Sequence, residues 1–105
     1  MSMGIAKATH ETDRDLIRDF EQIVNVGPAT AEDFRLLGIE TPQDLIGQDP
    51  ANLFVQLNKI TSTRQDPCVL DVLMASIDFM NGGQPKPWWD YTDERKQKFS
   101  HLYQD

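Results

Sequence analysis

The chain has 105 residues, 39% hydrophobic and 26% charged, which fits one soluble globular domain with a modest core and no disordered or fibrous architecture. Asp and Glu outnumber Lys and Arg by 17 to 10, a net charge of −7, so the broad basic footprint of a nucleic-acid-binding protein is missing and only a local basic patch would restore it. The one cysteine, Cys68, excludes an internal disulfide, and His10 and His101 have no zinc-site spacing.

No apolar run approaches the ~18 residues that span a bilayer, and the N-terminus carries no signal-peptide core. The expectation is a cytoplasmic protein with no membrane association. Residues 1–11 carry no pattern and are expected to be poorly ordered, which leaves 12–105 as a single domain. Thr12 with Asp15 resembles a capping box, and Leu16, Ile17, Phe20 and Ile23 or Val24 recur at helical spacing, predicting a first helix over about 12–23. A tight turn follows at Asn25-Val26-Gly27. Pro28 opens a second helix over about 28–37, with Ala31, Phe34 and Leu37 on its apolar side, and Gly38 closes it.

Thr41-Pro42 reads as N-cap and first helical position of a short helix with Leu45 and Ile46 that ends at Gly47. Asp49-Pro50 repeats the device before Leu53, Phe54, Leu57 and Ile60. Asp66-Pro67 uses it again before the clearest stripe of the chain, Val69, Leu70, Leu73, Met74, Ile77 and Met80, which stops at Asn81-Gly82-Gly83. Residues 84–91 form an extended, Pro-rich segment with three aromatics. Thr92, with Asp93 and Glu94 behind it, starts a last helix to Tyr103 with Phe99 and Leu102 on its apolar side. No useful stretch alternates with period two. The fold class is therefore all-α, a compact bundle of about six short helices, in which 23–39 and 40–57 read as two related units.

From Phe20 the pattern Phe-x-x-Ile-Val-Asn-Val-Gly-Pro-Ala-Thr-Ala matches the core of a helix-hairpin-helix motif, and Leu36-Leu37-Gly38-Ile39-x-Thr41-Pro42-x-Asp44-Leu45 fits a second half-motif. Further on stand Asp49-Pro50-x-x-Leu53-Phe54, Asp66-Pro67-Cys68-Val69-Leu70-Asp71 and Pro87-Trp88-Trp89-x-Tyr91-Thr92. Together, over about residues 15–100, they resemble the pathogenicity locus family of small bacterial proteins, some of which are labelled mitomycin-resistance or helix-hairpin-helix domain proteins. The resemblance implies tandem helix-hairpin-helix (SAM-like) units and DNA-linked biology, and it implies no enzymatic activity. Likeness to DNA-bound hairpins also implies that carbonyls of the turn can hold a monovalent cation. The sequence itself points to no metal site and no cofactor.

A helix start leaves about four backbone N–H groups unpaired and carries the positive end of the dipole, so phosphate can dock there. The candidate nucleic-acid contact is thus the backbone of Asn25, Val26, Gly27, Ala29 and Thr30. Two departures count against it. Asn25 stands where such turns carry glycine, so a side chain occupies the approach to phosphate even though Asn tolerates a left-handed backbone. Ala29 stands where Lys or Arg is common, and Glu32 and Asp33 follow. The alternative is a structural corner that packs two helices. Trp88 and Trp89 with Arg95 and Lys96, and with Lys86 and Lys98 nearby, form the chain's basic-aromatic cluster, a base-stacking or partner patch. The alternative there is a tryptophan plugging the core.

Cys68 lies near a helix start, which favours thiolate, but Asp66 and Asp71 oppose it, and a buried structural thiol is expected. Asp49 and Asp66 read as caps, Asp71 and Asp78 as one solvated helix face. No nucleophile–base set or phosphate-binding loop is present, so the expectation is a non-enzyme. Two functions stand: a DNA-repair-associated accessory that binds DNA weakly and non-specifically through hairpin amides, or an acidic interaction module for a basic protein partner without direct DNA contact.

Overall fold

Proline lacks an N–H that a helix start would leave unpaired anyway, and its φ is already helical. Three of the four α-helices begin on one: α1 (Pro28–Leu36), α2 (Pro50–Thr61) and α3 (Pro67–Met80); α4 (Thr92–Phe99) does not. The computed structural model describes residues 5–103, and among these the rest of the regular structure is five short 3-10 turns, with no strand. Of the stretch expected to be poorly ordered, residues 1–4 lie outside the described residues. At Ala8 the chain is buried, and its N–H donates to the Gln22 carbonyl at 2.7 Å.

The all-α expectation holds, but two of the six expected helices are 3-10 turns. Residues 12–23 form no α-helix. They make two separate turns, Arg14–Leu16 and Phe20–Gln22, divided by extended backbone at Ile17 (ψ 122°). The cause is side-chain competition for backbone groups. Asp13 rather than Thr12 caps the first turn, and Asp19 caps the second in a reciprocal box with Gln22. Gln22 Oε1 takes the N–H groups of Arg18 and Asp19, at 2.8 and 2.9 Å, which a continuous helix would send to backbone carbonyls. Ile17, Phe20 and Ile23 of the expected apolar set are all buried, because a three-residue spacing also lines one face of a 3-10 chain, but Leu16, expected with them, is exposed. Pro42–Leu45 is likewise a 3-10 turn, closed by the Thr41–Asp44 capping box. The aromatic segment is extended to Pro87 and then turns once at Trp88–Tyr91.

α3 buries residues around almost its whole circumference, as expected of a central helix that is hydrophobic on all sides. α2, α4 and the turns at 42–45 and 88–91 pack around it. α1 leans on α2 and on the turn at 20–22, where the Phe20 and Phe34 rings meet at 5.1 Å. Arg14 ties the N-terminal turn to the end of α3: Nε and Nη2 donate to the carbonyls of Phe79 and Gly83 at 2.9 and 2.8 Å, over the Phe79 ring.

Asp71 and Asp78, expected on a solvated face, are instead the anchors of the C-terminal segment. Seven residues apart, they stand two turns apart on one side of α3, and that side faces residues 91–95. Asp71 has no exposure and accepts from Arg95 Nε at 2.7 Å and Thr92 Oγ1 at 2.8 Å. Asp78 accepts the Tyr91 hydroxyl at 2.6 Å. No helix among the described residues is long and apolar enough to cross a membrane.

Candidate nucleic-acid interface

The turn after Ile23 needs one residue in the left-handed region, and Asn25 supplies it at φ 70°. Its side chain does not point to an open surface. Nδ2 donates to the Lys86 carbonyl at 2.8 Å, and Oδ1 accepts the Trp88 N–H at 3.2 Å. The amide thus mimics a strand partner for the Pro-rich segment and fixes it against the turn. Sequence reasoning kept the hairpin and the tryptophans as two separate candidates; the structure makes them neighbours.

Gly27 is the N-cap of α1, in extended backbone that any residue can adopt, and a Cβ on it would meet nothing within 4 Å. It provides no side-chain cap, and Pro28 has no N–H, so the first-turn N–H groups of Ala29 and Thr30 receive no cap from the residue before the helix. α2 and α3 differ: Asp49 accepts from Ala51 N at 3.0 Å and Asp66 from Cys68 N at 2.9 Å. A carboxylate already fills those two helix starts. Ala29 is exposed and Thr30 half-buried, whereas Val26 is buried and contributes its backbone only. Glu32 and Asp33, which counted against an anion, fall in the second turn of α1, whose first turn carries no acid. Glu32 faces Arg35 at 3.3 Å, and burial, then Glu32, pushes the Asp33 carboxyl up.

On the strap at 86–91 the indoles of Trp88 and Trp89 meet edge to face at 5.5 Å. Trp88 is half-buried against the fold. Trp89 is 62% exposed, although the bare hydrophobic effect would bury it. The Lys86 ammonium lies 6.0 Å from the Tyr91 ring, and the Tyr91 hydroxyl is turned inward, its pKa pushed up by burial and by Asp78. Arg95 is not part of this surface. It is 7% exposed and held by Asp71 and by Tyr103 Oη at 2.9 Å. Burial opposes its charge, but the Asp71 carboxylate outweighs that and raises its pKa. Lys96 stays exposed on α4.

Sequence reasoning passed over Lys7. Its ammonium donates to three carbonyls of the same turn, those of Glu21, Val26 and Ile23, at 2.6, 2.7 and 3.2 Å. A lysine in a patternless stretch gives no signal of this; only the folded turn collects the three acceptors.

Fold and surface define a small all-α protein with an uncapped helix start beside an aromatic strap. The profile of the pathogenicity locus family matches residues 13–97, and the chain belongs to that family. It is 38% identical over 79 residues to the mitomycin resistance protein McrB of Streptomyces lavendulae, an alignment that covers 75% of each chain. No solved structure matches the chain.

Proposed function

We propose that this protein is a small non-enzymatic, cytoplasmic DNA-repair accessory that holds unpaired DNA weakly and without sequence preference. The observation that carries this reading is the pair of Asn25 side-chain bonds to Lys86 and Trp88, which sets an uncapped helix start and an exposed indole on adjoining backbone. In this reading one phosphate accepts from the N–H groups of Ala29 and Thr30, over the open side of Gly27. An adjoining base stacks on Trp89, which is tolerant of sequence because every base has a π-face. Lys86 and Lys96 supply the nearby charge. Residues 23–39 and 40–57 act as two helix-hairpin-helix-like units, the second opening on a 3-10 turn. The name of its relative brings a role in mitomycin resistance into the same proposal.

The test is a fluorescence titration with oligothymidine at low salt. Quenching of tryptophan emission is expected. Trp89→Ala should weaken binding by about 1–3 kcal/mol, roughly five- to 150-fold. Gly27→Val should abolish it while leaving the melting temperature nearly unchanged, because a Cβ at this position meets nothing within 4 Å. Absence of binding to single-stranded, duplex and branched DNA alike would reject the reading.

One observation favours the second reading. Trp89, 62% exposed on a chain of net charge −7, also has the character of an interface anchor for a basic protein. That reading requires a stable complex or a dimer whose formation buries Trp89, with no DNA competition.

A further inference from the structure

A cleft of about 330 Å³ opens beside the strap, between α3, α4 and the start of α2. Its volume lies at the small end of the ~300–1,000 Å³ usual for small-molecule sites. Met74, Ile77 and Phe99 give it an apolar floor, the first two buried and the third half-buried. The carboxylates of Asp78 and Glu94 and the ammonium of Lys86 border it. Opposite charges on one small cleft attract, yet among the described residues no ion pair joins Lys86 to either acid. Tyr91 keeps them apart. Its hydroxyl donates to Asp78 Oδ2 at 2.6 Å, while the Lys86 ammonium lies 6.0 Å from its ring centre. Both charges stand on fixed backbone: Asp78 is within α3, and Asn25 Nδ2 donates to the Lys86 carbonyl at 2.8 Å. Glu94 is partly neutralised by Lys98 at 3.4 Å. Asp78 is not: its second oxygen, Oδ1, accepts no bond from the described residues.

We propose that this cleft binds a free amino acid with a large apolar side chain. The ligand's ammonium bonds Asp78, its carboxylate bonds Lys86, and its side chain lies on Met74, Ile77 and Phe99. Hydrogen bonds between charged groups are the stronger kind, and burial of the side chain adds to them. A zwitterion has no net charge, so the −7 of the chain does not repel it. A simple organic cation would meet Lys86, and a simple organic acid would meet Asp78 and Glu94. The inference does not rest on DNA binding.

The test is an NMR titration of the native protein, read at the Met74 and Ile77 methyl groups. The probes are L-phenylalanine and L-leucine, beside phenethylamine, which lacks the carboxylate, and 3-phenylpropionate, which lacks the ammonium. Saturable shifts are expected with the two amino acids. Phenethylamine and 3-phenylpropionate should each bind about tenfold more weakly or worse, the loss of one charged hydrogen bond. Lys86→Met should weaken L-phenylalanine by a similar factor and leave phenethylamine no weaker. Asp78→Asn, which still offers Tyr91 an acceptor, should weaken L-phenylalanine and leave 3-phenylpropionate no weaker. Lys86 is exposed, so its variant decides the matter even if Asp78→Asn does not fold. Absence of shifts with both amino acids would overturn the proposal. So would equal affinity for L-phenylalanine and phenethylamine, which would make the cleft a site for organic cations.

Discussion

Asp66 and Cys68 set each other's chemistry. The Cys68 backbone N–H bonds to the Asp66 carboxylate and holds its pKa below the usual carboxylate range. Burial, then Asp66 and Asp71, pushes the Cys68 thiol up. Cys68 is half-buried rather than the buried thiol expected, and its burial, with the Asp66 and Asp71 carboxylates adding to it, suppresses the thiolate that the helix dipole would favour. A folded pKa below the unfolded one means that Asp66 stabilises fully above the unfolded value, about 3.9, and loses this as pH falls through the folded value. Asp66→Ala should thus lower the melting temperature most at pH 6–8, with the gap to the native protein narrowing below about pH 4. A gap constant down to acid would show that the carboxylate charge has no part in the cap. Asn25 shows how far a single residue can be read. Its left-handed backbone follows from its type and position, but the Lys86 and Trp88 partners of its amide lie 61 and 63 residues away, and no local pattern announces them.

Between elements, the C-terminal segment is held to α3 by charge and hydroxyl rather than by apolar area alone. Residues 92–98 of α4 are all polar, and its docking depends on Asp71, Asp78 and their partners. Arg95→Ala should cost about 3–5 kcal/mol in chemical denaturation, because it leaves the Asp71 carboxylate buried without its counter-charge. Replacing both by apolar residues, Asp71→Leu with Arg95→Met, should cost less than the single change. Equal losses would show that the buried charge is not the cause. Sequence periodicity found α1, α2 and α3 with their starts, since Pro at the first position acts locally, as does Gly past the end of α1 and α3; α2 instead ends on Ser62 at φ 51°. It failed over 12–23, where Asp13, Asp19 and Gln22 take backbone N–H groups that a helix would need. It also misplaced Asp71 and Asp78, because a carboxylate two turns from another reads as a wet face until something is packed on it.

For the whole molecule, a net charge of −7 sets the scale of any nucleic-acid contact. Each phosphate neutralised on a single strand contributes about −0.7 to the slope of log affinity against log salt. The proposed contact, two or three phosphates at the hairpin and strap, should give a slope of about −1.4 to −2.1. A slope several times steeper would place binding on a broad basic face that the chain does not have, and a flat one would mean that phosphate is not bound. The sequence by itself determined the all-α class, the three Pro-opened helices, the left-handed turn at Asn25 and the acidic balance. These depend on residue type and near neighbours, so they are written locally. Only the tertiary structure decided that the hairpin and the tryptophans adjoin, that Arg95 is held inside by Asp71, and that Lys7 donates to three carbonyls of one turn. Each of these joins groups separated by 14 to 63 residues, and such pairings are set by how elements pack, not by any interval in the chain.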